Sequence, residues 1–527
     1  MKDDDDNAIQ ALAQQFDLPW APQLDSSQVN TELIARVPIS FARRYKVLPL
    51  REEEGAILVA TTDPLQSEAL DDLRLLLGKP IKPVLTTQLM LLGTLNQAYD
   101  RATAGGAEAV MEDLVAEEGL GGLAHDLDEP QDLLDATDEA PIIRLVNSIL
   151  FEAVKRRASD IHVESFERGL VIRYRIDGVL YQILSPPKQF QSSITARLKI
   201  MAGLNIAEKR LPQDGRFGIR TAGKDVDVRV SVLPTSHGER VVLRLLQKEN
   251  KLLNLSEIGF SPDQLTIIQQ LIHLSHGIIL VTGPTGSGKT TTLYGALSQI
   301  NSPDKNIITI EDPVEYQLQG VGQMQVNAKI NLTFAAGLRS ILRQDPDVIM
   351  IGEIRDLETA EIAIHASLTG HLVFSTLHTN DAAGAATRLI DMGIEPFLVA
   401  SSVVAVLAQR LARVICPQCR KPYQPAQEEI ERLGLRPQKT PPTFYRGAGC
   451  QACGNTGYRG RTGIYELLVM DDQVRGLIGA KADASRIREL AISKGMIPLK
   501  LDGANKVLTG ITTTEEIMRI AQQDVEL

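Results

Sequence analysis

The sequence predicts a multidomain α/β protein, and three observations support this prediction. The chain has 527 residues, enough for three or four domains at roughly 100–200 residues each. Short apolar runs suited to buried strands alternate with segments of helical periodicity. One such strand leads directly into a glycine-rich loop and a helix-forming run, an arrangement found in α/β domains.

The composition is that of a soluble globular protein, with 43% hydrophobic and 23% charged residues. No stretch approaches the roughly 18 consecutive apolar residues of a membrane-spanning helix. The acidic start, Met1 to Asp6, lacks the apolar core of a secretory signal. We therefore expect a cytoplasmic protein that is peripheral to a membrane at most.

The first 140 residues predict a small domain followed by a tether. Residues 1–100 alternate helical and strand-like patterns without a recognisable catalytic set, which is typical of a docking domain. Residues 101–140 contain twelve acidic residues and one basic residue, which accounts for the whole net charge of −11. We interpret this segment as an acidic linker. Because the rest of the chain has no broad basic excess, nucleic acid is not expected as a partner.

A second α+β domain is predicted over residues 141–247. Helical spacing over residues 142–156 is followed by segments that alternate apolar and polar residues, as strands with one solvated face do. Arginine recurs on or beside these strands, at Arg210, Arg216, Arg220, Arg229 and Arg240. This recurrence distinguishes the domain from its neighbours.

A phosphate-binding loop follows an apolar strand. The run from Gly283 to Thr290 satisfies the pattern G-x4-G-K-[ST] in its expected strand-loop-helix context. In such loops backbone N–H groups close around the phosphates, Lys289 reaches the terminal phosphates and the Thr290 hydroxyl binds magnesium. ATP and Mg²⁺ are therefore the expected cofactors. The candidate nucleotide-binding residues are Gly283, Pro284, Thr285, Gly286, Ser287, Gly288, Lys289, Thr290 and Thr291.

Three further apolar strands end in polar residues, at Glu311 with Asp312, at Glu353 and at His378. The carboxyl ends of parallel strands meet at the ligand-binding edge of a sheet. The position before Glu353, where an Asp that binds magnesium is usual, is Gly352. We assign Glu353 to orienting or deprotonating the attacking water, and Glu311 or Asp312 to the water shell of the metal. The opposite division between the two glutamates stays open, and His378 either senses the terminal phosphate or is structural.

The four cysteines form two C-x2-C pairs separated by thirty residues, Cys416 with Cys419 and Cys450 with Cys453. Two such pairs offer four soft thiolates for a tetrahedral ion. In a reducing cytoplasm this set favours structural Zn²⁺ over disulfides. Reduced packing cysteines or a redox pair are the alternatives.

Four motifs together resemble those of the secretion and pilus ATPases. The segments similar to their Walker A, Asp box, Walker B and His box are Gly283–Thr290, Ile310–Glu315, Gly352–Asp356 and Thr369–Asn380. Within that superfamily the chain most resembles the cytoplasmic ATPase of the type II secretion system, the GspE family, with the type IV pilus assembly ATPase as the alternative. The resemblance covers roughly residues 135–527, and that family also lacks the usual Walker B Asp.

The resemblance implies a RecA-like ATPase core preceded by an α+β (PAS-like) domain and an N-terminal docking domain, with a four-cysteine zinc insertion. The implied boundaries after the linker are 141–247 for the arginine-bearing domain, 248–410 for the ATPase domain, 411–462 for the zinc subdomain and 463–527 for a C-terminal helical region. It also implies a homo-hexamer that hydrolyses ATP to power pseudopilus assembly and type II protein secretion. Residues 1–100 would bind a GspL-like platform protein of the inner membrane, so that membrane association is indirect.

The resemblance further implies that an arginine of the preceding domain closes over the nucleotide. Arg216 and Arg229 match the family segments that carry this function, and a cation delivered by closure would stabilise charge on the transferred phosphoryl group. A surface charge or an internal ion pair is the alternative for each. Arg343 and Arg355 are expected to be structural residues at the sheet end.

Two other classes of function stand beside the motor ATPase. A nucleic-acid translocase with a zinc ribbon is disfavoured by the balanced charge and by only 22 aromatic residues for base stacking. A scaffold whose nucleotide site only regulates assembly is disfavoured by the carboxylates at two strand ends and by the candidate arginines.

Overall fold

The structure is a computed structural model that describes residues 9–102 with short gaps, 141–221, 224–247, 253–435 and 442–522. The chain divides into two units, residues 1–249 and 250–527, and each is described by itself. The predicted linker lies outside the described residues from residue 103 onward. Among the helices of the described ranges, none is both long and apolar enough to cross a membrane.

The N-terminal unit begins with a small α/β region. Its elements are α1 (Ile39–Tyr45), β1 (Val47–Glu53), β2 (Ala56–Thr61), α2 (Ser67–Leu77), β3 (Ile81–Leu85) and α3 (Gln88–Ala102). Strand β2 is central, antiparallel to β1 and parallel to β3. Leu73 of α2 and Leu91 of α3 are fully buried in one core with Val59 of β2.

The second region of this unit is an antiparallel sheet with two helices. Its elements are α4 (Pro141–Lys155), β4 (Ala158–Ser165), β5 (Leu170–Ile176), β6 (Val179–Leu184), α5 (Gln191–Met201), β7 (Gln213–Thr221), β8 (Lys224–Thr235) and β9 (Gly238–Gln247). The strand order is β6-β5-β4-β9-β8-β7. Alternating apolar residues form one core with α4 and α5. The buried Tyr174 hydroxyl donates to the Ile149 carbonyl at 2.6 Å, which fixes α4 to the sheet. The other face of the sheet carries the charged residues.

The C-terminal unit is built around a mostly parallel sheet. Its first elements are α6 (Pro262–Leu271), β10 (Gly277–Thr282), α7 (Lys289–Ile300), β11 (Ile307–Glu311), β12 (Gly322–Gln325), α8 (Phe334–Ile341), β13 (Val348–Ile351), α9 (Leu357–Leu368), β14 (Leu372–Leu377), α10 (Ala382–Asp391), α11 (Pro396–Ser402) and β15 (Val403–Ile415). Its later elements are β16 (Arg420–Tyr423), α12 (Gln427–Arg432), β17 (Phe444–Gly447), β18 (Tyr458–Val469), α13 (Asp472–Gly479), α14 (Ala484–Ser493), α15 (Leu499–Leu508) and α16 (Thr514–Gln522).

The main sheet has the order β12-β11-β13-β14-β10-β15-β18, and all neighbours are parallel except β15 and β18. All six residues of β10 are buried, because hydrophobic clusters cover both faces of the sheet. Register pairs Ile310 with Ile351, and Ile351 with Ser375. The carboxyl ends of β11, β13 and β14 therefore lie side by side.

Strands β15 and β18 continue beyond the core of the sheet toward the cysteine pairs. Their pairing runs from Ala405 with Val469 to Ile415 with Tyr458. Both strands thus cross the boundaries drawn after residues 410 and 462. The two-stranded β16-β17 sheet of the cysteine lobe is also held to the C-terminal segment, because Arg420 donates to the Thr509 carbonyl at 3.3 Å.

Candidate functional site

The phosphate loop joins the end of β10 to the first residue of α7. Gly288 precedes the helix with φ +88°, in the left-handed region that favours glycine. A Cβ on Gly283 would lie 2.4 Å from the Gln409 carbonyl oxygen of β15. The two glycines therefore allow a tight turn against a neighbouring strand, and the turn leads into a helix N-terminus suited to anions.

Lys289 lies partly buried within this loop. Its Nζ donates to the carbonyl of Gly283 at 2.7 Å and to that of Pro284 at 3.2 Å. Burial lowers the pKa of Lys289 to about 8; Glu353 opposes the shift and Arg410 contributes to it. The lysine is thus placed among charged groups at the carboxyl edge of the sheet.

Two hydroxyls of the loop fit a bound nucleotide with its metal. Ser287 is buried, and its Oγ has no hydrogen-bond partner among the described residues. Thr290, in the first turn of α7, is exposed. A phosphate oxygen would satisfy the first group, and the second is accessible to a magnesium ion.

Glu353 follows β13 and lies between two cationic or titratable side chains. Its Oε1 is 2.5 Å from Arg355 Nη2, and its Oε2 is 3.5 Å from His378 Nε2. The Glu353 side chain is 15% exposed, so the carboxylate is accessible yet partly desolvated. Burial lowers the pKa of His378 and the Lys289 ammonium adds to this shift, against the opposing effect of Glu353. The lowered pKa favours the neutral imidazole at pH 7.

Gly352 has a packing reason to be glycine. A Cβ there would lie 3.3 Å from the Ile310 carbonyl oxygen and 3.4 Å from both Glu311 Cα and Phe334 Cε1. The Gly352 N–H donates to the same Ile310 carbonyl at 2.8 Å. A side chain at this position would make tight contacts, and its neighbours would have to shift by a few tenths of an ångström.

Glu311 is 3% exposed and surrounded by hydrogen-bond donors. Its Oε1 accepts from the Thr309 hydroxyl at 2.6 Å and from Gln323 Nε2 at 3.1 Å, and its Oε2 accepts from the Tyr294 hydroxyl of α7. No hydrogen bond or ion pair joins it to Glu353 or Lys289 among the described residues. The structure thus brings Glu353, His378 and Lys289 together, and gives Glu311 a separate network.

The arginines of the antiparallel sheet differ in whether they are paired. Seven arginines lie on its strands. Five of them pair with carboxylates: Arg173 and Arg240 with Glu164, Arg175 and Arg244 with Asp160, and Arg220 with Asp225. Within the described part of the chain, Arg216 and Arg229 have no such partner.

Arg216 and Arg229 are also directly opposite each other on β7 and β8, and Arg229 is opposite Arg244 on β9. Like charges in opposite positions repel, so an anion bound over this row would be stabilising. The geometry therefore makes this face a candidate site for phosphate groups.

The four cysteines converge in the lobe beyond β15. Their sulfur atoms all lie within 4.8 Å of one another. The Sγ–Sγ distances are 3.8 Å for Cys416 with Cys450, 3.9 Å for Cys419 with Cys453 and 3.7 Å for Cys450 with Cys453. Four sulfurs around one tetrahedral Zn²⁺ at about 2.3 Å would be separated by about 3.8 Å. The distances fit a four-thiolate metal site and are too long for disulfides.

The sequence reasoning did not predict the positions of Arg355 and Arg410 at the nucleotide site, or the hydrogen bond of Tyr294 to Glu311. Arg355, predicted to be a structural residue at the sheet end, forms an ion pair with Glu353. Its position two residues after Glu353 was a local signal. Tyr294 and Arg410 gave no signal, because each lies in an otherwise regular helix or strand and acquires its contacts only through the fold.

A phosphate loop at the carboxyl edge of a parallel sheet, with Glu353 and His378 beside its lysine, defines a P-loop ATPase with a RecA-like core. The chain belongs to the type II/IV secretion system protein family, whose model matches residues 135–519. A MshEN domain model matches residues 16–105. These matches confirm the predicted fold class, family and ATPase activity.

Individual relatives are similar to this chain in sequence over nearly its whole length. The chain is 51% identical over 510 residues to type II secretion system protein E of Aeromonas hydrophila, covering 96% of this chain and 100% of the relative. It is 49% identical over 499 residues to type II secretion system ATPase E of Vibrio cholerae, covering 94% and 99%. The type IV pilus assembly ATPase PilB of Myxococcus xanthus is 46% identical over 512 residues, covering 96% and 89%.

Among solved structures, the ATPase DotB of Legionella pneumophila superposes with a TM-score of 0.53 at 22% identity, covering 75% of this chain and 100% of that chain. At this identity the similarity concerns the fold alone.

Proposed function

We propose that this chain is a hexameric motor ATPase that powers pseudopilus assembly and type II protein secretion at the cytoplasmic face of the inner membrane. The observation that carries the proposal is the placement of Glu353 and His378 beside Lys289. Relatives of similar length at about half identity carry type II secretion names, which supports the system assigned here.

The nucleotide would be held by the phosphate loop and hydrolysed at its outer edge. The N–H groups of the loop and Lys289 bind the phosphates, and Thr290 would hold a Mg²⁺ ion that neutralises phosphate charge. Glu353 orients the attacking water and accepts its proton. The neutral His378 imidazole fixes Glu353 and offers a hydrogen bond that depends on the terminal phosphate.

We propose that Glu353 rather than Glu311 acts on the water. The Glu311 oxygens already accept three hydrogen bonds, from Thr309, Gln323 and Tyr294. Its role is to fix the segment after β11 to α7. This network supports Glu353 as the residue that acts on the water, in the division that the sequence left open.

Arg216 and Arg229 would supply the cations that make hydrolysis depend on conformation. As the two unpaired arginines on the described strands of their sheet, they are free to reach a triphosphate when this domain closes over an ATPase domain. A ring of identical subunits would offer such a closure at every interface.

Two remaining regions would hold the cysteine lobe together and attach the protein to its membrane partner. The four-cysteine site would hold a structural Zn²⁺, which closes the lobe between β15 and β18. The region spanning residues 1–100, which contains most of the MshEN match, would bind a GspL-like inner-membrane protein. Attachment to the membrane would then be indirect.

A type IV pilus assembly ATPase is the second candidate, and the PilB relative at 46% identity supports it. Complementation separates the two systems. The gene, supplied to strains lacking either the secretion or the pilus ATPase, should restore export of folded proteins and not pilus formation, and the Glu353→Gln variant should restore neither. Restoration of pili alone would contradict the secretion assignment, and ATP hydrolysis that survives Glu353→Gln would contradict the mechanism.

A further inference from the structure

Arg410 is a buried arginine beside the phosphate loop. It lies on β15 and is 4% exposed. Its Nη1 would be 3.1 Å from a Cβ placed on Gly283, the first glycine of the loop. A guanidinium in so buried a position needs fixed acceptors, because its desolvation is costly.

Those acceptors connect the guanidinium to a second loop of the site. Nη2 donates to the Asn380 carbonyl at 2.9 Å and to Asn380 Oδ1 at 3.3 Å, while Nη1 donates to the Gln409 carbonyl at 3.1 Å. Asn380 is two residues after His378. Arg410 therefore lies beside the first glycine of the phosphate loop and donates to the segment that carries His378.

The residue before Arg410 on the same strand, Gln409, contacts the helix that follows the phosphate loop. Gln409 Oε1 accepts from the Thr292 hydroxyl of α7 at 2.8 Å. Successive side chains of a strand point to opposite faces. Strand β15 thus holds the helix after the phosphate loop with one residue and the His378 segment with the next.

A second contact holds the same segment independently. The Thr379 N–H donates to Thr282 Oγ1 at 2.8 Å, and the two threonine hydroxyls are 2.7 Å apart. Thr282 is the last residue of β10, immediately before the loop. Arg410 also acts on Lys289 electrostatically, since its charge helps to lower the pKa of that lysine.

We propose that Arg410 is a positioning residue for ATP hydrolysis, which holds the His378 segment against the phosphate loop while its charge contributes to binding the phosphates. The inference requires only that ATP binds at the loop around Lys289, so it stands apart from the secretion system served and from closure by Arg216 and Arg229.

Full-length Arg410→Lys and Arg410→Gln variants test the two parts. The lysine keeps the charge but loses the forked donor, so kcat should fall about tenfold while the nucleotide Kd stays within about threefold of wild type. The glutamine loses both, so its Kd should also rise about tenfold. Arg486→Gln removes the same charge from an exposed position on α14 and should match wild type.

The measurements are kcat, the Kd for an ATP analogue and the thermal unfolding temperature. Thr379→Val, alone and combined with Arg410→Lys, completes a cycle, and kcat losses that are not additive would support a shared segment. If Arg410→Gln does not fold, the kcat and Kd of Arg410→Lys still test whether Arg410 positions the His378 segment. The proposal is overturned if Arg410→Lys turns over like Arg486→Gln, or if its loss of kcat is no larger than its loss of folded protein. Failure of wild-type protein to bind ATP would instead refute nucleotide binding itself.

Discussion

The Nε2 atom of His378 lies 3.5 Å from Oε2 of Glu353, although the two residues end different strands of the sheet. Their contact follows from the parallel pairing of β13 with β14, which brings both strand ends to one edge. Burial and the Lys289 charge lower the pKa of His378, which favours the neutral imidazole at pH 7 and a polar contact over a fixed ion pair.

Replacing Glu353 by glutamine should abolish turnover and retain nucleotide binding. The amide keeps the size of the side chain but cannot accept a proton, so kcat should fall at least about 100-fold. Steady-state hydrolysis and binding of a fluorescent nucleotide measure the two effects. Glu361→Gln, at an exposed position of α9, is the control and should behave like wild type. Equal loss of binding and turnover would argue against a role for Glu353 in the chemical step.

Glu311→Gln and Tyr294→Phe should lower stability more than they lower the rate per folded molecule. Each leaves a buried polar group without its partner, which costs about 1–3 kcal/mol of unfolding free energy. Urea unfolding measures this loss, and hydrolysis corrected for the folded fraction measures the rate. A Glu311→Gln protein with wild-type stability and no turnover would restore Glu311 as the general base.

Arg216→Gln and Arg229→Gln should reduce hydrolysis, whereas Arg220→Gln should not. All three arginines lie on strands of one sheet, but only Arg220 has a carboxylate partner among the described residues, Asp225 at 2.9 Å. If the unpaired arginines act on the phosphates, kcat should fall about 10–1000-fold. Unchanged thermal unfolding would exclude a folding defect. Three equally active variants would remove these arginines from the mechanism.

Metal analysis of the purified protein should find one Zn²⁺ per chain. Cys453→Ser should reduce the bound metal and lower the unfolding temperature, because the lobe between β15 and β18 loses its central contact. Elemental analysis and thiol titration under denaturing conditions measure metal content and reduced cysteines. Ser401→Ala, at an exposed position outside the lobe, is the control. Full stability of a protein that contains no metal would contradict a structural ion.

The C-terminal helices should be sensitive to acid through Glu516. Burial alone would raise the pKa of this carboxyl, but hydrogen bonds from Arg519 and Arg413 outweigh that effect and hold it at about 2. Because the pKa of Glu516 is lower in the folded state, its ionised carboxylate stabilises the fold at pH values above the unfolded-state pKa of 4.5. This contribution is lost as the pH falls from 4.5 toward 2.

The measurement is urea unfolding between pH 3 and 7. Glu516→Gln should be destabilised on the order of 2–3 kcal/mol at neutral pH, and its difference from wild type should shrink below about pH 4.5. Glu515→Gln, an exposed neighbour, should show neither effect. A difference that is independent of pH would contradict the argument.

Much of the site could be predicted because its signals are local. The spacing from Gly283 to Thr290 and the two C-x2-C pairs each lie within one loop or knuckle, where the chemistry depends on neighbouring residues. The sequence also showed Gly352 where an Asp is usual, but only the structure shows that a side chain there would contact Ile310 and Phe334 tightly.

By itself, the sequence determined the class of the protein, its ATP-binding loop and the residue types at the strand ends. Only the tertiary structure decided that Glu311 belongs to a hydrogen-bonded network, that Arg355 contacts Glu353, and that Arg410 reaches the His378 segment. The physical reason is strand order. Pairing of β10 with both β14 and β15 brings distant segments together, and neither periodicity nor composition encodes which strands become neighbours.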